Sequence, residues 1–203
     1  MKSVLPVACL MFVDRAAISE EFFDKLYLAD ADPWNFARSD YELRRYSAEI
    51  SFLQGRRFER GFEPGCSIGV LTEKLAPLCD RLDAIDISPT AACLARKRCN
   101  HLKHVSVRQG SLPQDIPSGP FDLIVLSEIG YYFEAPALEK LGAELVSRLE
   151  REGVFLAAHW LGNSPDHLLT GDRVHQVLGC LPGLRLTASD RHPGYRIDRW
   201  SKT

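Results

Sequence analysis

An α/β architecture with a doubly wound, mostly parallel sheet is what the sequence predicts. Three observations carry it. From Arg60 onward, short apolar runs alternate with amphipathic stretches of helical length. The run "FDLIVLSE", 121–128, is almost continuously apolar, as expected of a strand buried on both faces. The first strand runs into a glycine-bearing turn, "EPGCSIG", and then a helix, a shape that can hold charged groups or a ribose. A length of 203 residues suits one domain. We expect a loose extension over 1–17 and a domain over 18–203, divided into a helical cap (18–55) and a sheet-bearing core (60–203).

Taken in order, "SEEFFDKLYLA" has helical periodicity, and "DADPWNFARS" reads as a loop because of Pro33 and its aspartates. Ser39 and Glu42 have capping-box spacing, so a second helix should start near Asp40 and run to about Gln54. "RGFE" is a short strand, followed by the turn and the helix "VLTEKLAPL". "RLDAIDIS" is a strand, and Pro89 opens the next helix. "HVSVRQG" and "FDLIVLSE" are strands, "APALEKLGAELVSRL" a helix and "GVFLAAHW" another buried strand. "GDRVHQVLGCL" is a helix with Asp172 as its expected N-cap. "LRLTASDRH" and "YRIDRWSK" read as a hairpin around Pro193-Gly194. Consecutive strand–helix units imply right-handed crossovers.

Composition narrows the function. The formal net charge of -2 supports neither nucleic-acid nor membrane-surface binding through charge. Arg44-Arg45, Arg56-Arg57 and Arg96-Lys97-Arg98 read as solvated helix faces or ends. The 6 cysteines show no CxxC spacing, and no His cluster completes a zinc pattern. They read as reduced thiols of a cytoplasmic protein, and no metal is expected. The apolar run over 4–13 is interrupted by Pro6 and followed by Asp14-Arg15, so it reads as extension rather than export signal, and it is too short for a membrane span.

The turn itself can be read two ways. Gly65-Cys66-Ser67-Ile68-Gly69 fits G-x-S-x-G, which would make Ser67 a nucleophile with Asp122 or Asp166 and His167, His175 or His192 as partners. Against this, the turn follows the first strand of the alternation, and no HGGG-type segment lies upstream. In the other reading the turn is a cofactor loop. Gly65 and Gly69 let backbone approach a ligand. Asp86, at the end of the second strand, can accept hydrogen bonds from ribose hydroxyls. The turn is not G-x-G-x-x-G, so a ligand with ribose but no pyrophosphate fits better than a dinucleotide.

"FEPGCSIG" followed by "DAID", "QGSLP" and "FDLIVLSEIGYYF" resembles the class I S-adenosylmethionine-dependent methyltransferases. A closer resemblance, through "DADPWNF", "YELRRY", "VLSEIGYYF", "AAHWLG" and "LTGDRVH", is to the nodulation protein S family. It implies a Rossmann-like, seven-stranded sheet with the last strand antiparallel, and S-adenosyl-L-methionine as cofactor with S-adenosyl-L-homocysteine as product. The implied reaction is N-methylation of a small molecule or a de-N-acetylated, chitin-like oligosaccharide by a monomer or homodimer. The implied cofactor-binding residues are Trp34, Arg38, Glu63, Gly65, Cys66, Gly69, Asp86, Ile87, Gly110, Ser111, Leu112 and Ser127. Arg38 would pair with the cofactor carboxylate, Trp34 would shield its sulfonium, and Ser111 stands where the family usually has Asp. Ser67 replaces the motif's middle glycine and should turn its side chain away from the ligand.

Methyl transfer is an in-line displacement, so alignment of the reacting atoms dominates. An amine acceptor must be neutral to attack, which favours a proton acceptor nearby. Glu128, His159 and Tyr132 are the expected catalytic residues: Glu128 toward the acceptor amine, His159 as base, with a satisfied structural histidine as the alternative, and Tyr132 as a wall beside the methyl. Tyr131 and Tyr132 are adjacent, so one of them should face the core instead. O-methylation, cofactor binding without catalysis, and a nicotinamide-dependent oxidoreductase stay open beside this reading.

Overall fold

The computed structural model describes residues 19–203; the expected extension over 1–17, with the apolar run over 4–13, lies outside the described residues. Two helices come first, α1 (Glu20–Ala29) and α2 (Asp40–Ser51). Strand and helix then alternate: β1 (Phe58–Pro64), α3 (Val70–Leu75), β2 (Cys79–Asp86), α4 (Pro89–Arg98), β3 (Val105–Gln109), β4 (Phe121–Ser127), α5 (Ala135–Arg148), β5 (Leu149–Trp160), α6 (Gly171–Gly179), β6 (Leu184–Arg191) and β7 (Tyr195–Lys202).

The seven strands form one sheet in the order β3-β2-β1-β4-β5-β7-β6. The pairs from β3 through to β5 are parallel. β7 enters between β5 and β6 and runs antiparallel to both. β4 explains why a parallel strand reads as continuous apolar text. Its residues alternate between two cores, Leu123 and Val125 facing one and Ile124 and Leu126 the other. The first core takes side chains of α1 to α4, including Tyr27, Tyr46, Leu71 and Ala91; the second takes Leu138 and Leu145 of α5 and Val174 and Leu178 of α6.

Register brings the carboxyl ends of the strands to one edge. Pro64 pairs with Ile85, Asp86 with Gln109, and Ser127 with Ala158. Connections leave β1 toward β2 and β3, and leave β4 toward β5 on the other side. That reversal opens a crevice between the ends of β1 and β4, where open α/β sheets bind ligands.

The helices before β1 are tied across this edge. Ser88 Oγ and the Thr90 amide donate to Asp24 Oδ1 at 2.6 and 3.0 Å, pinning α1 to the start of α4. Tyr41 Oη donates to the Gly194 carbonyl at 2.8 Å, pinning α2 to the β6–β7 turn. Two capping expectations need correction. Ser39 is the N-cap of α2 but makes no side-chain cap bond, and Glu42 does not close a capping box. Arg45 donates to Glu42 Oε2 instead, from Nε at 3.1 Å and Nη2 at 2.5 Å. α6 is capped by Thr170, whose Oγ1 accepts from the Arg173 amide, while Asp172 is held outside by Arg191 and Arg196.

Candidate active site

One cavity of about 530 Å³ lies at the carboxyl edge, roofed by α1, the 30–39 loop and α2. Its first half is made of strand ends. Gly65, Ser67, Ile85, Asp86, Ile87, Gly110 and Leu112 line it. The loop amides are already used. Gly65 and Cys66 both donate to the Ile85 carbonyl, at 2.7 and 2.9 Å, and Ser67 donates to Asp86 Oδ2 at 2.7 Å. Asp86 Oδ1 takes the Ser88 amide at 2.9 Å. Burial pushes the Asp86 carboxyl up to about 6, against these two amides. Each carboxyl oxygen has two lone pairs and accepts one amide, so one remains on each for a diol.

The glycines of the turn act through close packing. Gly65 has φ +75°, and a Cβ there would meet Ile129 Cγ2 at 2.4 Å across the crevice. Gly69 has φ +80°, and a Cβ there would meet Ala95 of α4 at 3.1 Å, so this residue serves helix packing. Ser67 itself sits at φ +50°, the left-handed region that a side chain enters rarely. Its hydroxyl accepts from Tyr27 Oη at 2.6 Å. Ser67 is thus a docking point for α1.

The second half of the cavity is made of side chains. Trp34, Phe36, Tyr41, Glu42, Glu128, Tyr131, Tyr132, Trp160, Ser164 and His167 line it. Glu128 leaves β4 at φ +60°. Its carboxyl is held on both oxygens: the Trp160 amide donates to Oε1 at 2.7 Å and Tyr131 Oη to Oε2 at 2.6 Å. A 3-10 turn, Gly130–Tyr132, brings both tyrosines to the cavity. Tyr131 is the one that packs in the core, as expected, yet it also reaches the cavity wall beside Tyr132, because successive residues of so tight a turn splay by about 120° rather than 180°. His167 stacks on Tyr131 at 3.6 Å between ring centroids, with 17° between planes.

Beneath this end lies a buried ionic cluster. Arg45, expected on a solvated helix face, is 0% exposed. Its Nη1 donates to Ser127 Oγ at 2.9 Å and also to Glu49, and its Nε lies 3.9 Å from Glu128 Oε1. Burial opposes its charge, but the carboxyl groups of Glu128, Glu49 and Glu42 hold its pKa well above the usual value. Burial also raises Glu49 to about 7, against the pull of Arg45. Beside it is a small cavity of about 30 Å³ lined by Arg45, Glu63 and Cys66 among others. Glu63 Oε2 is buried there without a partner, and burial pushes this carboxyl up to about 8.

Several expectations are corrected by this placement. His159 is 0% exposed and does not line the cavity. Its Nε2 accepts from the Gly130 amide at 3.0 Å, which leaves the proton on Nδ1, 3.2 Å from His175 Nε2. His175 in turn donates from Nδ1 to Asp198 Oδ2 at 2.7 Å. With its lone pair taken and burial lowering its pKa well below the usual range, His159 is no base; it fixes the turn that follows Glu128 and carries Tyr131. Arg38 is exposed and does not line the cavity; the guanidinium under this edge is Arg45. Ser111 turns its hydroxyl away, to Asp115 Oδ2 at 3.3 Å. Gly69 and Ser111 line neither cavity, and Glu63 and Cys66 line only the small one.

Trp34, Gly65, Asp86, Ile87, Gly110, Leu112, Ser127, Glu128 and Tyr132 do line the main cavity. The nucleophile reading of Ser67 fails on geometry. No histidine reaches its hydroxyl among the described residues, and Asp122 is spent at the opposite sheet edge on the amides of Glu59 and Arg60, at 2.8 and 2.9 Å. Sequence reasoning did not assign Glu42, Tyr27 or His167 to this cavity. Glu42 had been spent on a capping box, and Tyr27 and His167 carry no local signal for it.

Comparison with known proteins agrees with this architecture. A crystal structure of N-methyltransferase NodS from Bradyrhizobium japonicum WM9 with S-adenosyl-L-homocysteine superposes with a TM-score of 0.80 at 24% identity, covering 91% of this chain and 98% of that one. A candidate methyltransferase from Pseudomonas syringae is 35% identical, with a TM-score of 0.71, over 80% of this chain and 99% of that one. The fold is that of the class I methyltransferases. The family model for nodulation protein S matches residues 19–159, so the chain belongs to the nodulation protein S family. Nodulation protein S of Sinorhizobium fredii is 36% identical over 129 residues, 62% of this chain and 59% of its own. That of Rhizobium tropici is 38% identical over 107 residues, 52% of this chain and 44% of its own. The chain therefore spans about half the length of these two relatives.

Proposed function

We propose that the chain is an S-adenosyl-L-methionine-dependent methyltransferase that acts on an amino nitrogen. One observation carries the choice of acceptor atom. The main cavity is lined by three carboxyl groups, Glu42, Asp86 and Glu128, and by aromatic rings, while no Lys or Arg lines it among the described residues. Such a wall favours cations through charge and ring faces. It offers no cationic partner for a phosphate or carboxylate acceptor.

The residues fit the cofactor. Asp86 keeps free lone pairs at the strand end for the ribose hydroxyls. Ile87 and Leu112 supply apolar walls for the base. Trp34, T-shaped against Tyr27 at 5.5 Å, lies over the turn and can face a sulfonium. When bound, S-adenosyl-L-methionine supplies a methyl group on a positively charged sulfur, ready for in-line displacement. Glu128, held by Trp160 and Tyr131, can accept a hydrogen bond from the acceptor N–H and so aim its lone pair. The helices before β1 act as a cap that excludes water. An amino-sugar acceptor is what the family resemblance implies, and a cytoplasmic site of action fits the five free thiols among the described residues.

The test is calorimetric titration with S-adenosyl-L-homocysteine, with NAD as control, followed by an acceptor panel scored by S-adenosyl-L-homocysteine release. Micromolar binding of the first ligand alone and turnover with free but not N-acetylated amino sugars is expected. Turnover with hydroxyl acceptors only would replace the nitrogen reading by an oxygen one.

A further inference from the structure

We infer that His167 is the group that takes the proton from the acceptor amine, a catalytic role that the buried His159 cannot fill. The inference rests on the N-methylation reading above. His167 lies in the segment between β5 and α6 and lines the acceptor half of the cavity with Glu128, Tyr131 and Trp160. Its ring is fixed without using its nitrogens. It stacks on Tyr131 at 3.6 Å, and Tyr132 and Trp160 meet it edge-on at 5.3 and 6.0 Å. His159 and His175 have their nitrogens tied to Gly130, Asp198 and each other. The ring of His167 makes no hydrogen bond among the described residues. The ring it stacks on is the one whose hydroxyl holds Glu128 Oε2 at 2.6 Å. One rigid assembly therefore presents two complementary groups to the cavity: a carboxyl that accepts an N–H and an imidazole with a free nitrogen.

The charged and titratable groups facing His167 are Asp166 on its own segment, Glu128 and the two tyrosines on the β4–α5 connection, with Trp160 from β5 neutral. Burial lowers its pKa, against the charges of Asp166 and Glu128, so the ring is neutral and able to accept at pH 7. The acceptor ammonium gives one proton to the imidazole and becomes a neutral amine. Its lone pair forms the N–C bond as the C–S bond breaks and that pair returns to sulfur. The product leaves as a secondary ammonium, and the imidazolium releases its proton to water.

The test uses the full chain, a glucosamine tetramer as acceptor and two variants. His167→Phe keeps an aromatic ring to stack on Tyr131 and lacks nitrogen; His167→Gln keeps polarity and loses the stack. Both should lower kcat/KM about 100-fold at pH 7, within the usual range for general-base catalysis. The deficit should narrow as pH rises and the amine sheds its own proton, while the Kd for S-adenosyl-L-homocysteine stays within about twofold of wild type. A purely stacking role would spare His167→Phe and impair only His167→Gln, and that result would overturn the inference. A second readout is independent of turnover. With S-adenosyl-L-homocysteine bound, adding the tetramer should shift the His167 ring ¹⁵N signals and leave those of His175 in place; unmoved His167 signals would also overturn it. Wild-type protein that methylates no amine would overturn the N-methylation reading and this inference together, whereas wild-type turnover matched by His167→Phe would overturn the inference alone.

Discussion

The two halves of the cavity are built by different means. The half at Gly65, Asp86 and Gly110 is made of strand ends and main-chain amides, all within one or two residues of hydrogen-bonded sheet. The half at Glu42, Glu128, Trp160 and His167 is made of side chains from α2, the residue after β4, the last residue of β5 and the loop that follows it, braced by rings and by a buried cluster. Strand ends are fixed by many ladder bonds at once, so one substitution there removes a contact without moving the frame. A side-chain assembly is only as fixed as its supports, so a substitution beneath it moves several groups together.

Substitutions in each half separate these two modes of construction. The largest effect should come from Asp86→Ala. It removes both proposed ribose acceptors and the anchor of the Ser67 amide, and two charge-assisted bonds are worth about 1.5–3 kcal/mol each. The Kd for S-adenosyl-L-homocysteine should rise about 10³-fold by calorimetry, and a change under tenfold would remove Asp86 from its assigned contact. His159→Ala should come next, and through stability. It strands the Gly130 amide and His175 Nε2 in the interior, at about 3 kcal/mol or about 6–12 °C in Tm. A variant as stable as wild type in scanning calorimetry would show that the buried relay does not support the turn.

Glu128→Gln keeps shape but exchanges an acceptor for an amide, and the Trp160 amide can still be served by the remaining oxygen. Turnover should fall about 30-fold, roughly 2 kcal/mol in the barrier, with S-adenosyl-L-homocysteine binding nearly unchanged. Equal losses in binding and turnover would move Glu128 into the cofactor half.

A smaller effect is expected from pH. Glu63 is raised by burial to about 8. A carboxyl whose folded pKa lies above its unfolded one holds more protons when folded. Its contribution is complete below the unfolded value of about 4.3 and is lost as pH rises through the folded one. Glu49, raised to about 7, acts in the same direction. Below about pH 6.5 the buried histidines, whose pKa values are lowered, act the opposite way. The decline should therefore be visible between about pH 6.5 and 8.5, with a slope of at most about 1.4 kcal/mol per pH unit for each proton. Glu63→Gln should flatten it; an identical slope in the variant would exclude Glu63 as its source. The smallest effect belongs to Arg38→Ala. This side chain is exposed and unpaired with any acid among the described residues, so binding and turnover should change less than about twofold.

The same contrast explains what could be read from the sequence. The sheet was legible because β4 and β5 carry apolar residues on both faces and because Gly and Pro punctuate the connections. Asp86 was legible because a strand end displays its last side chain at a fixed place relative to the turn after the neighbouring strand. Glu128 was legible for the same reason. For His159 the same logic leaves base and structural histidine open, and the structural one holds: it too closes a strand, but it faces α6, and His175 and the Gly130 amide take its nitrogens. His167 was beyond reach, since its place depends on a stack with a tyrosine 36 positions earlier, and nothing local encodes that. Arg38 and Arg45 carry the same charge and lie on adjacent elements. Only packing tells which is buried, although acids three residues before and four after Arg45 were a visible sign that its charge could be matched within one helix.

The antiparallel β7 has a consequence for how the protein comes into being on the ribosome. The strand that separates β5 from β6 is the last of the seven to be synthesised, and it brings Asp198, the far end of the chain of bonds that reaches Gly130 through His175 and His159. Until residues 195–202 have cleared the exit tunnel, β5 is an apolar open edge and the relay behind the Gly130–Tyr132 turn lacks its Asp198 end. A nascent chain stalled just short of that point would expose Val154–Ala158 to chaperones and to other nascent chains. Translation pauses inside the codons for β7 would thus be felt as aggregation and proteolysis, well before they were felt as missing activity.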